Sequence, residues 1–159
     1  MSVPSWLPST TSCQTSTRPS LSVRDRKSFA ALPGAVNESL RLEPAAAFVD
    51  RYATVDVALA GQEVRRGDLV RVSLRHANRD PLTFPDPERF DVRRPEVRLQ
   101  LAFAQGPHVC LGMHLARLET QTALDRLLDR LPGVALDAAR PAAVAGEVFR
   151  KPPELWVRF

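Results

Sequence analysis

Cysteine is scarce in this chain: Cys13 and Cys110 are the two present, far apart and in unlike settings. They make no disulfide framework, so a reducing cytoplasmic compartment is the default expectation. Long hydrophobic runs are also missing. No apolar stretch approaches the roughly 18 residues that a membrane-spanning helix needs, so no membrane partner is expected. Dense Lys/Arg blocks are absent as well. The formal net charge is +4 with acidic and basic residues interleaved, which argues against a nucleic-acid partner and fits a basic face for an acidic protein. There are no internal repeats. Against these absences stand 159 residues with 44% hydrophobic and 25% charged content, enough for one globular domain with a core.

Residues 1–22 hold seven Ser, four Thr and three Pro and show no periodic apolar face. The expectation is a disordered leader over 1–28, followed by an ordered domain over 29–159. The leader lacks the basic start and apolar centre of a secretory signal, though its acid-poor composition is compatible with an organellar transit peptide. Pro33 to Arg41 predicts a helix of about two turns, closed before Pro44. On it Glu38 and Arg41 share a face, which on its own reads as a solvated surface pair. Residues 48–74 predict a small antiparallel sheet, with turns at Gly61-Gln62 and Arg65–Asp68. A short helical turn follows from His76 and ends at Pro81. The stretch 81–100 is too rich in Pro and charge for a regular helix or central strand. There Phe84 and Phe90 are candidate aromatic anchors. Leucines at 111, 115, 118, 124, 127, 128 and 131 predict a buried helix from about Leu111 to Leu131, stopped by Pro132-Gly133. Strand-like pieces at Val134–Leu136 and Leu155–Phe159 finish the chain.

The chemistry concentrates in Phe103-Ala-Gln-Gly-Pro-His-Val-Cys-Leu-Gly112. Cys110 stands where a helix begins, and free N–H groups with the positive helix end favour a thiolate there. A thiolate can be a nucleophile, a redox centre or a metal ligand. His108 or His114 would be the base for a nucleophile. Zinc wants three or four ligands at spacings that Cys110, His108 and His114 do not offer convincingly. A redox sensor wants a resolving cysteine nearby. A large metallocofactor that brings its own further ligands, such as haem, needs a single thiolate and close glycines. The bland possibility is a small buried hydrophobe.

The loop fits Phe-x-x-Gly-x-x-x-Cys-x-Gly and resembles the haem-binding loop of the cytochrome P-450 family. Further family marks stand in order. Glu38-Ser-Leu-Arg41 resembles the Glu-x-x-Arg of the K helix. Asn78-Arg-Asp-Pro81 with Phe84-Pro-Asp-Pro-Glu-Arg-Phe90 resembles the segment before the meander, and Leu155-Trp-Val-Arg-Phe159 resembles the C-terminal strand of bacterial members. The resemblance covers about residues 30–159. It implies a mainly α fold with small antiparallel β-sheets (α+β), the C-terminal part of the family fold with K helix, meander, Cys-ligand loop and L helix.

It also implies roles. Cys110 would be the proximal thiolate on the iron of haem b (iron protoporphyrin IX), its electron donation favouring O–O cleavage. His108 and Arg51 would hold haem propionates, the guanidinium matching a carboxylate in shape. Phe103 would screen the thiolate, while Gly106 and Gly112 would admit close backbone. Glu38, Arg41 and Arg89 would form a buried charge network. Ala45, Ala46, Ala47, Phe48 and the turn near Val148 would face substrate. Ala104 departs from the family's usual Gly, Ser, Asn or His. The oxygen-activating helix with its acid and threonine has no counterpart, so no catalytic residue is assigned. The implied activity is a haem-thiolate monooxygenase with a small organic substrate and a ferredoxin or flavoprotein as electron donor. The chain is then expected to be a fragment, or to need a second chain that supplies the missing helices. The competing expectations are an inactive truncated product, and a non-enzymatic haem-binding or interaction module whose Arg93, Arg94 and Arg117 meet an acidic partner.

Overall fold

The computed structural model describes residues 27–159. The Ser/Thr/Pro-rich leader, including Cys13, falls largely outside the described residues. Helix α1 spans Lys27–Leu42, so it starts earlier than the proline suggests and holds Pro33 inside it. A proline in a helix removes one N–H bond and crowds the preceding turn. The Pro33 carbonyl also accepts from the Asn37 side-chain amide at 2.9 Å. Pro44 then ends the run, since the residue before a proline is steered out of helical geometry.

Four strands follow: β1 (Phe48–Tyr52), β2 (Val57–Leu59), β3 (Gln62–Val64) and β4 (Leu69–Ser73). They form two separate two-stranded antiparallel sheets, β1 with β4 and β2 with β3, in place of one. The inner hairpin turns through Ala60 (φ 48°) and Gly61 (φ 80°). Two central residues at positive φ are the turn that matches strand twist. Helix α2 (Leu74–Ala77) is capped by Ser73, whose hydroxyl accepts from the His76 amide. A 3₁₀ turn at Pro95–Leu99 is the regular piece of the proline-rich stretch. Helix α3 spans Met113–Arg130, and β5 (Ala135–Leu136) pairs antiparallel with β6 (Val157–Arg158).

The core lies between α1, α2 and the 81–94 segment. Val36, Ala47, Leu74 and Phe84 are buried, and the Arg41 guanidinium stacks over the Phe84 ring at 5.3 Å. Phe90, the second expected anchor, is half-exposed. The leucine-rich α3 is not buried as its periodicity implies: no residue of it is fully covered, and Leu115 and Leu118 are exposed. Helical periodicity defines a face that seeks cover, not where the cover comes from. Among the described residues no helix is long and apolar enough to cross a membrane.

Gly34 sets how closely α1 meets the 81–94 segment, because a Cβ there would overlap the Val92 carbonyl oxygen. Ala is the better helix former by about 1 kcal/mol, but forcing backbone apart costs about 1–3 kcal/mol. Gly34→Ala should therefore lower the urea midpoint. A midpoint raised by the substitution would show that the two segments do not touch there.

Candidate haem site

The site is built outward from one buried carboxylate. Glu38 and Arg41 are both fully buried, so they are not the surface pair that their spacing alone suggests. Arg41 Nε and Nη2 donate to the two Glu38 oxygens at 2.8 Å each, a bidentate pair. Glu38 Oε1 also accepts from Arg94 Nε at 3.0 Å and from the Asp91 amide at 3.1 Å. The third member of the network is thus Arg94 and not Arg89, which corrects the expected set. Arg89 is exposed and contributes its carbonyl, which accepts from Arg41 Nη2 at 3.3 Å and Arg94 Nη2 at 2.9 Å. A turn starting at Asp86 (φ 49°) points the Arg89 carbonyl inward and leaves its side chain outside. Arg94 was also expected on a basic surface; it is 6% exposed. The Arg93-Arg94 pair before Pro95 was the one sign in the sequence of a second candidate.

Burial alone would raise the Glu38 carboxyl. Hydrogen bonds from Arg41, Arg94 and the Asp91 amide outweigh it and hold the group below its ordinary value of 4.5.

Asn78 carries this network to the cysteine loop, a role that sequence reasoning missed. Its carbonyl accepts from Arg41 Nη1 at 2.8 Å, and its side-chain Oδ1 accepts from the Leu101 amide at 2.6 Å. Asn78 is fully buried. The segment entering the loop therefore hangs from the same centre as the 81–94 segment.

The loop closes on itself. The Cys110 amide donates to the Phe103 carbonyl at 3.0 Å, and the Val109 amide to Gly106 at 3.0 Å. Gly106 sits at φ 86°, where a side chain is strained. Gly112 caps α3, and a Cβ on it would lie 3.9 Å from the Cys110 sulfur, so its neighbourhood is close but not closed. Cys110 precedes the first helical residue by three positions, a little farther from α3 than the pattern implies. It is exposed, unlike a small buried hydrophobe. Ala104 holds φ 58°. A left-handed non-glycine costs roughly 1–2 kcal/mol, so the departure at this position carries strain.

A cavity of about 710 Å³ brings the expected ligand residues together: Arg51, Phe103, His108 and Cys110 line it. Ala45, Ala46, Val49, Leu74 and Phe149 supply apolar wall. Of the expected substrate-facing residues, Ala45 and Ala46 are in the lining, whereas Ala47 is buried and Phe48 lies under the Arg71 guanidinium at 4.2 Å. Phe103 has the Arg117 guanidinium over its ring at 5.1 Å. Among the described residues no group of three His, Cys, Asp or Glu gathers to hold a metal by itself. A flat apolar cofactor with two carboxylates fits this donor set. It would find one thiolate, an apolar wall, and a guanidinium and an imidazole for its acids.

Three outcomes check this geometry. Arg94→Ala removes a partner from a buried carboxylate and should cost about 3 kcal/mol, while Arg89→Ala should stay within about 0.5 kcal/mol; equal losses in denaturant titrations would restore Arg89 to the network. Stability contributed by Glu38 is complete above its ordinary 4.5 and is lost as pH falls through the lower folded value. Glu38→Gln should therefore flatten the acid limb of the stability profile, and an unchanged limb would contradict the lowered carboxyl. Ala104→Gly should relieve strain by up to about 1 kcal/mol and raise Tm; a fall in Tm would contradict the left-handed backbone.

The cytochrome P-450 family profile matches residues 13–133, beginning inside the segment that composition assigns to the leader. A 20-oxo-5-O-mycaminosyltylactone 23-monooxygenase of Streptomyces fradiae is 46% identical over 65% of this chain and 24% of its own length. A nocardicin C N-oxygenase of Nocardia uniformis subsp. tsuyamanensis is 46% identical over 78% of this chain and 32% of its own. The chain thus spans about a quarter to a third of the length of these relatives. Among solved structures, P-450 BioI in complex with an acyl-ligated acyl carrier protein is similar at TM-score 0.78 and 38% identity, covering 84% of this chain and 35% of that one. CYP109E1 from Bacillus megaterium with testosterone is similar at TM-score 0.76 and 31% identity, over 86% of this chain and 40% of that one. The profile match over most of the chain and the shared C-terminal part of the fold agree: the chain belongs to the cytochrome P-450 family.

Proposed function

We propose that this chain supplies the thiolate side of a haem monooxygenase site. The observation that carries the reading is the gathering of Cys110, His108, Arg51 and Phe103 on one cavity. The named monooxygenases and oxygenases among its relatives support the same reading. Cys110 would hold the metal, Arg51 and His108 the cofactor's carboxylates, and Phe103 would limit water at the sulfur. Bound there, haem iron would activate dioxygen so that one oxygen atom enters an organic substrate, with electrons from a ferredoxin or flavoprotein. The cofactor would be haem b, as the resemblance to the family implies. Glu38, Arg41, Arg94 and Asn78 would position the loop without touching the cofactor.

The oxygen-activating acid and threonine would come from the part of the enzyme that this sequence does not span, on the same or a second chain. The exposed leucines 111, 115 and 118 give that part an apolar face to cover. We place the protein in the cytoplasm, consistent with two cysteines too far apart in sequence to form a local framework.

The chain incubated with haem, reduced and exposed to CO should show the red-shifted Soret band of thiolate ligation. Cys110→Ala should abolish that band. Arg51→Ala should weaken haem uptake about ten-fold, the scale of one charge-assisted contact. Folded chain that takes up no haem would overturn the reading. Uptake with a band unaffected by Cys110→Ala would move the ligand elsewhere.

A further inference from the structure

Outside the cavity, one carboxylate gathers three guanidiniums. Glu43 follows α1, and its Oε1 lies 3.2 Å from Arg79 Nη2 and 3.6 Å from Arg75 Nη2. Its Oε2 lies 3.3 Å from Arg150 Nε. Arg79 pairs in addition with Glu88 at 3.0 Å. Arg79 and Arg150 are largely buried, at 15% and 19% exposure, so solvent screens these contacts less than it does ordinary surface pairs. Arg75 Nε is buried without a partner. The arginines come from two distant stretches of chain: α2 with the residues just after it, and the loop before the C-terminal strand.

That loop, residues 145–151, is small and closed. Ala145 and Lys151 exchange backbone bonds of 3.0 and 3.1 Å, and Arg150 Nη1 donates to the Gly146 carbonyl at 3.0 Å. Gly146 is at φ 98°, and a Cβ there would overlap the Phe149 carbonyl. The loop meets residues 45–47 through two backbone bonds, Ala47 N–H to Val148 O at 2.8 Å and Arg150 N–H to Ala45 O at 2.9 Å. Phe149, between those contacts, lines the cavity and is 76% exposed. Two backbone bonds are a weak mooring for an exposed loop that carries a large aromatic ring. The Arg150–Glu43 pair is a side-chain tie beside them.

We propose that Glu43 is a positioning residue for the cavity: by bridging Arg75, Arg79 and Arg150, it moors the 145–151 loop and so sets where Phe149 stands in the cavity wall. Glu43 itself does not line the cavity. Without its charge, three guanidiniums face one another with Glu88 as the remaining carboxylate. Arg150 then gains more by turning to solvent than by staying docked. The consequence for ligand fit rests on reading the cavity as the haem site; the mooring of the loop does not.

Hydrogen exchange on the full chain tests it. In Glu43→Gln the amides of Ala47, Ala145, Arg150 and Lys151 should exchange about ten-fold faster, while those of paired strands β1 and β4 keep their rates. Glu43→Asp should recover part of the protection. Arg150→Gln should free the same amides, and the double variant should be no faster than the single ones, because both remove one tie. Should Glu43→Gln fail to fold, Arg150→Gln alone decides by the same amides. Unchanged loop exchange, a uniform rise that includes β1 and β4, or additive effects in the double variant would each overturn the proposal. A chain that binds no haem but shows the exchange pattern would remove the cavity reading and leave the mooring standing.

Discussion

The structure depends on the burial of one carboxylate. Glu38 sits at zero exposure with two guanidiniums and a backbone amide on it. Charges out of water are costly, and their mutual attraction offsets this only when geometry is good and every remaining valence is met. Both conditions hold for Arg41. Arg41 is bidentate, and its other bonds go to the carbonyls of Asn78, Pro87 and Arg89. Arg94 spends its remaining donors on the carbonyls of Pro85, Asp86 and Arg89. An irregular, proline-rich segment cannot satisfy its carbonyls through ladders or helical turns. The two arginines do so instead, and that holds residues 85–94 in one shape. The network is therefore better understood as a device for specifying conformation than as a source of net stability.

The same constraint reaches the cofactor side through Asn78. Its backbone is tied to Arg41 and its side chain to the amide of Leu101, two residues before Phe103. Phe103 then receives the Cys110 amide. From a buried carboxylate on α1 to the residue that bears the sulfur, hydrogen bonds alternate with short lengths of chain: Glu38 to Arg41, Arg41 to Asn78, Asn78 to Leu101 and, two residues on, Phe103 to Cys110. A thiolate placed on a loop would otherwise inherit the loop's mobility. Ala45 and Ala46 line the cavity, and residues 45–47 are hydrogen-bonded to α2 on one side and to the 145–151 loop on the other.

Much of this was legible in the sequence. The Phe103–Gly112 spacing named the loop, its cysteine and its left-handed glycine, and the strand and turn signals between 48 and 74 located the small sheets. Arg51, His108 and Phe103 were named from resemblance, and they share a cavity with Cys110. Four features escaped for physical reasons. Arg89 and Arg94 are five residues apart in a segment without periodicity, so no pattern says which one turns inward; a single turn at Asp86 decides it. Asn78 acts through its backbone as much as through its side chain, and composition carries no sign of that. The leucines of α3 announce an apolar face, yet burial depends on what lies opposite, which one helix's periodicity cannot contain. The start of α1 was misplaced because Pro33 is a common helix opener and here sits in the interior.

Cys110, held by these contacts, is the proposed ligand to haem iron. X-ray absorption at the iron edge of the haem-loaded chain reads the ligand directly. One sulfur scatterer at thiolate distance is expected, replaced by oxygen or nitrogen in Cys110→Ser. A first shell of nitrogen alone in the unaltered chain, as His108 or His114 would give, would contradict it.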